Sequence, residues 1–215
     1  MARPHLYSAE DFRLRITERL SFDSALAVGD HVFNPEIAEA FLQVERRPAA
    51  VLVPVVHREP EATLLFTERI GGLRAHAGQI AFPGGRIDPE DAGPEAAALR
   101  EALEEIGLER KFVETVGRGP DYLTGSGYHV ALVIAVVRPG FTLTLNPSEV
   151  ADAFEVPLSF LMNPANHRTG SRVWNGANRM FFEMPFENRH IWGITAGIVR
   201  VLYERLYVDG PRAEA

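Results

Sequence analysis

"GGRIDPEDAGPEAAALREALEEIGL", Gly84 to Leu108, decides how this chain is read. A glycine pair opens it and an acidic loop follows. Pro94 and Gly107 then bracket a helix, since proline suits a first helical turn and glycine the position just past the last one. Within that helix Glu101, Glu104 and Glu105 stand at i, i+3 and i+4, on one side at about 100° per residue. Like charges so placed repel by a few tenths of a kcal/mol, roughly, per pair. Arg100 can pair with Glu104, but with the cation N-terminal to its acid, the weaker order. A divalent cation such as magnesium or manganese compensates more fully, because these ions prefer hard oxygen ligands and leave positions for water and phosphate oxygens. Taken alone, the three glutamates are better explained as a solvated helix face. The sequence around them reverses that preference.

The chain has 215 residues, 46% hydrophobic and 24% charged, which suits one well-buried core with elaborations. Its 22 basic and 29 acidic residues give a net charge of -7, and no basic run is longer than Arg46-Arg47. That balance argues against broad nucleic-acid or anionic-membrane binding; an anionic small-molecule substrate would have to be met by metal ions and a few placed arginines. Cysteine is absent, so neither disulfides nor thiolate chemistry enter. No window reaches the about 18 apolar residues of a membrane span, and the first residues carry no apolar leader. A cytoplasmic protein is expected.

Further out, Ser8 and Asp11 form a helix start signal before Phe12, Leu14, Ile16 and Leu20. Asn34-Pro35 suggests a second start, with Asn as cap and Pro in the first turn. "AAVLVPVVH" (49–57) and "ATLLFTERI" (62–70) read as strands of a hairpin, and "FVETVGR" (112–118), "YHVALVIAVV" (128–137) and "FTLTL" (141–145) as further strands. "FEVPLSFLMN" (154–163) passes from strand into helix, 172–186 reads as a hairpin turning at 175–178, and 194–207 has helical spacing. Without regular β-α alternation, an α/β sandwich around a mixed sheet fits best.

The loop and helix together resemble the Nudix hydrolase box. Arg100-Glu101, Glu104-Glu105 and Gly107-Leu108 fill its helical half. In the loop half, Asp91 stands where the family has Glu, and eight residues rather than seven separate it from Arg100. Both departures are shared with the coenzyme A pyrophosphatase branch, which is also similar in the motif just upstream, "LLFTERIGGLRAHAGQIAFPGG" (64–85). "HIWGITAGIV" (190–199) also looks like that branch.

The resemblance implies a Nudix-type α/β/α sandwich, with residues 1–45 as an N-terminal helical elaboration, 46–208 as the hydrolase domain and 209–215 as a frayed tail. It implies metal-dependent hydrolysis of the diphosphate of coenzyme A or a derivative, giving 3',5'-ADP and 4'-phosphopantetheine. Magnesium or manganese would be held by Glu101, Glu104, Glu105 and a backbone carbonyl at Gly84 or Gly85, with Arg100 orienting a carboxylate. Glu149 would be a further ligand or base, or else a turn-flanking acid. Arg69, Arg74 and His76 would supply substrate contacts, and a homodimer is the assembly the family suggests. The rival readings are a Nudix enzyme for another nucleoside diphosphate derivative such as ADP-ribose, and a Nudix-fold binding module without turnover.

Other residues have plainer readings. Asp91 serves equally well as a helix cap. His57, His129, His167 and His190 stand in no metal-ligand spacing. Trp174, Trp192 and Phe181-Phe182 are better core residues than a base-stacking platform. Ser126 lacks the strand-turn-helix setting of a nucleophile elbow and reads as a loop residue.

Overall fold

A computed structural model describes residues 4–20, 28–35, 38–43, 45–71, 78–174 and 177–208. Ser8 caps the first helix as its sequence suggests: its hydroxyl accepts the Asp11 N–H at 3.1 Å, and α1 runs Ala9–Arg19 with Phe12 and Ile16 buried. A short strand β1 (Val28–Gly29) and helix α2 (Ala38–Leu42) follow. The second start expected at Asn34-Pro35 runs into residues 36 and 37, which lie outside the described residues; Asn34 itself is held from another part of the chain. Almost fully buried, its amide donates to the carbonyls of Asp30 and Met180 and accepts the Met180 N–H at 2.8 Å.

The expected hairpin forms from β2 (Arg47–Val56) and β3 (Thr63–Arg69), paired antiparallel at Val55↔Leu64 and Val56↔Thr63. Beyond those two pairs the strands part. Strand β4 (Ile80–Ala81) pairs with β3, whereas β5 (Gly84–Arg86) lies antiparallel along β2 at Ala49, Ala50 and Val51. The acidic helix α3 (Pro94–Ile106) comes next, then β6 (Val113–Arg118), β7 (Tyr122–Leu123) and β8 (Tyr128–Val137). Strand β8 runs parallel to β2 along its whole length and is buried from Val130 on.

Segment 141–145 is not the strand that its alternation suggests. Its backbone closes the end of α3 instead: Thr144 N–H donates to the Ile106 carbonyl at 2.9 Å and Asn146 N–H to that of Glu105 at 2.8 Å. Orphan helix-end carbonyls have taken the donors that a sheet would have used. After β9 (Val150–Pro157) and α4 (Leu158–Leu161), strands β10 (Arg168–Trp174), β11 (Ala177–Phe186) and β12 (Arg189–Trp192) make a separate antiparallel sheet, and α5 (Ile194–Leu206) ends the description.

Alternation along β2 sorts the core into two layers. Ala50 and Leu52 pack under Ala97, Ala98, Ala102 and Ile106 of α3; Val53 and Val55 face Phe12 and Ile16 of α1 and Ile198 and Leu202 of α5. The result is the expected α/β/α sandwich around a mixed sheet. Helix α1 shares the sheet's core, and Arg15 Nη1 donates to the Leu206 carbonyl at 3.0 Å. Among the described residues no helix is long and apolar enough to cross a membrane. The predicted tail, 209–215, lies outside the described residues.

Candidate active site

Helix α3 starts at Pro94 and stops at Gly107, whose left-handed φ of 68° lets its N–H turn back to the Leu103 carbonyl at 2.9 Å. Burial of Ala98, Ala102 and Ile106 fixes the helix's rotation, and this sets the three glutamates at three depths. Glu105 is 3% exposed, Glu101 half-buried and Glu104 at the surface.

Glu105 points at the place where β2 and β3 part. Its Oε2 accepts the Gly84 N–H at 3.1 Å, and Arg69 Nη1, at the end of β3, stands 3.8 Å from Oε1. Burial pushes its carboxyl up to about 7; the Gly84 N–H and Arg69 oppose this, while the charges of Glu101 and Glu149 add to it. Glycine is required beside it for close approach. A Cβ at Gly84 would fall 2.4 Å from the Ala50 carbonyl oxygen, and one at Gly85 would fall 2.3 Å from Glu101 Oε1. Glu101 is likewise raised, first by burial, with Arg100 opposing.

Arg100 joins the loop to the helix. Its Nε and Nη2 grip Asp91 at 3.1 and 2.9 Å, and Nη1 reaches Glu101 at 3.0 Å and Glu104 at 3.2 Å. Nη2 also donates to the Arg86 carbonyl at 3.1 Å. Pairing with Asp91 raises the guanidinium above its ordinary range and holds the Asp91 carboxyl below its own. Asp91 is thus not a cap: the cap position is Gly93, without a side-chain bond. Sequence reasoning had Asp91 in view only as one of two readings and gave no role to Asn146, whose amide donates to Glu149 Oε1 at 3.2 Å. Its one sequence signal is the Asn-Pro turn before Glu149. The Glu149 carbonyl accepts the Ile70 N–H at 3.0 Å, which fastens this acid next to Arg69.

Arg69, Gly84, Gly85, Arg100, Glu101, Glu105 and Glu149 are therefore brought together, with Glu104 exposed beside them. Arg74 and His76 lie outside the described residues. His129 binds Asp121 and His190 binds Glu183, and Ser126 is a turn residue. Phe182 is core, but Phe181 and Trp192 are half-buried on an outer face; the side chain of Trp174 is outside the description.

Among the described residues no three acidic or histidine side chains are already drawn together around one point. Arg100 engages Glu101 Oε1 and the Gly84 N–H engages Glu105 Oε2. The donor set nevertheless fits a hard divalent cation: carboxylates on adjacent turns, one of them so short of counter-charge that burial brings its pKa near neutrality.

A family model described as the NUDIX domain matches residues 46–174, which include all of these groups. The chain belongs to the Nudix family. It is 38% identical over 168 residues to an uncharacterized Nudix hydrolase, NudL, of Yersinia pestis, covering 78% of this chain and 84% of that one. Solved structures similar to it include a Nudix hydrolase from M. smegmatis, RenU (25% identity, 53% of this chain and 71% of that one, TM-score 0.45). Another is a MutT/nudix family protein from Enterococcus faecalis (12% identity, 93% and 74%, TM-score 0.47). Nudix hydrolases generally use divalent metals such as magnesium or manganese. In this Nudix hydrolase the helix glutamates and the Gly84-Gly85 backbone are the groups that could hold such an ion.

Proposed function

We propose that this Nudix hydrolase cleaves the diphosphate of coenzyme A or its derivatives, giving 3',5'-ADP and 4'-phosphopantetheine or its acyl form. One observation carries the reading: Arg69, from the motif that resembles the coenzyme A branch, stands 3.8 Å from Glu105 of the Nudix helix. The branch motif and the acidic helix then serve one site.

Glu101 and Glu105 are the ligands best placed for magnesium or manganese, with Glu104 and the Gly84 carbonyl as additional oxygens. The ion supplies charge neutralisation at phosphorus and a more acidic water. Arg100, fixed by Asp91, keeps Glu101 oriented. Arg69 faces the diphosphate and offsets its charge, with Arg74 and His76 of the same motif assigned to substrate. Glu149, steadied by Asn146, is a further ligand or the base that takes the proton of the attacking water. Water adds to one phosphorus as the bridging P–O bond breaks, and the leaving phosphate departs with its electron pair.

The test is incubation of purified protein with magnesium or manganese and a nucleotide panel, with chromatographic identification of products. Release of 3',5'-ADP from coenzyme A is expected. Rapid hydrolysis of ADP-ribose without cleavage of coenzyme A would overturn the substrate.

A further inference from the structure

Arg172 and Arg179 face each other directly across β10 and β11. Like charges so opposed repel. Neither guanidinium has a carboxylate at ion-pair distance among the described residues. In a chain of net charge -7 an uncompensated arginine pair stands out as a place for an anion.

Their surroundings narrow the anion. Side chains alternate across a strand, so the pair shares its sheet face with Phe181 and Trp192, while Phe182, Met184 and Ile191 on the other face fill the core. Phe181 and Trp192 meet edge to face, ring centres 5.4 Å apart, both half-buried. Gly170 lets Phe181 lie flat against β10, since a Cβ there would be 2.6 Å from the ring. The face's one carboxylate, Glu183, is opposite Arg168 and bound to His190 at 2.9 Å.

Both ends of this face are tied to elements that lead toward the candidate site. Arg179 Nη2 packs on Gly125, where a Cβ would be 2.2 Å away, in the turn whose Gly127 carbonyl accepts the Arg47 N–H at 3.0 Å. Arg47 begins β2, the strand that Gly84 pairs with. At the other end, Trp192 leads into Thr195, whose hydroxyl donates to the Ile80 carbonyl at 2.8 Å, in the strand just before Gly84.

We propose that the outer face of β10–β12 is a subsite for the phosphorylated nucleoside end of the substrate, with Arg172 and Arg179 taking a phosphate monoester and Phe181 and Trp192 the base. Arginine forks match phosphate oxygens, and aromatic rings accept a base by stacking. The proposal rests on the coenzyme A reading, in which that monoester is the 3'-phosphate.

Trp192 reports on the subsite without turnover. The chain has two tryptophans, so Trp174→Phe leaves Trp192 as the sole fluorophore. Titrating the metal-free variant, 3',5'-ADP should change its emission saturably and bind roughly ten- to hundred-fold more tightly than 5'-AMP. Adding Arg172→Gln and Arg179→Gln should shrink that difference to about threefold or less. Removing the two opposed like charges should also raise Tm, so a lost preference in a stable variant is not misfolding. A silent Trp192, or a preference that survives both substitutions, would overturn the subsite. Failure of the substrate reading looks different: coenzyme A is not cleaved at all. If coenzyme A is cleaved and its advantage in kcat/KM over dephospho-coenzyme A is untouched by the double substitution, the subsite falls and the substrate reading stands.

Discussion

Glu105 accepts the backbone N–H of Gly84 at 3.1 Å on one oxygen and faces Arg69 at 3.8 Å on the other, so the acidic helix and the glycine loop meet on a single carboxylate. Its pKa is pushed up to about 7 from an ordinary 4.5, first by burial. Between those values the folded chain keeps a proton that the unfolded chain has released. Stability in chelator should therefore fall as pH rises from about 4.5 to about 7, by roughly 3 kcal/mol. Glu105→Gln should flatten the dependence and, by removing the charge, lower kcat by orders of magnitude with the fold intact. Denaturant melts at pH 5 and pH 8, alongside turnover with magnesium, check both. Near-normal turnover in the variant would remove Glu105 from the site.

Gly84 and Gly85 separate stability from activity. An added Cβ at Gly84 meets the backbone of Ala50 and Val51, which cannot yield, so Gly84→Ala should lower Tm by several degrees. At Gly85 the obstacle is the tip of the Glu101 side chain, which can swing away. Gly85→Ala should thus melt near wild type while kcat falls at least about tenfold. Equal thermal losses in the two variants would contradict this division.

Asp91 acts on the site only through Arg100. Asp91→Asn keeps the shape and removes the charge that anchors the fork, so metal affinity or kcat should drop roughly 10- to 100-fold. Asp91→Glu should recover part of that loss. A variant with unaltered metal titration and kcat would reduce Asp91 to a loop-closing residue.

For Glu149 the distinction is kinetic. As ligand or base it contributes to the chemical step, and Glu149→Gln should lower kcat more than it raises KM. Unchanged kinetics would leave it an acid beside a turn, bonded to Asn146 for structural reasons alone.

The elements legible in the sequence were those whose local signals agree with the packed structure: the Ser8 cap, the Pro94 to Gly107 helix, and the hairpins at 47–69 and 168–186. Misreadings arose where a distant partner decided the outcome. Segment 141–145 alternates like a strand, yet its donors serve the end of α3. In the candidate site the helix spacing placed the glutamates on one side, but their depths follow from which face of α3 meets the sheet. The parting of β2 and β3 that opens the site leaves no periodic signature, because each strand simply changes partner. The Arg172–Arg179 opposition was equally hidden, since a strand's alternation does not give its register.

Helix α3 ends with no basic side chain in its last turn. The aligned peptide dipoles place partial negative charge at that same end, so Glu104 and Glu105 sit in a field that disfavours them, by about 0.3 to 1 kcal/mol for each charge. Arg100, a turn earlier, reaches Glu104 but lies away from the helix end itself. Any divalent cation bound there relieves dipole and carboxylates together, and free energy of binding is added directly to folding stability. The melting temperature of the protein then becomes a gauge of free magnesium or manganese, readable in the absence of any substrate.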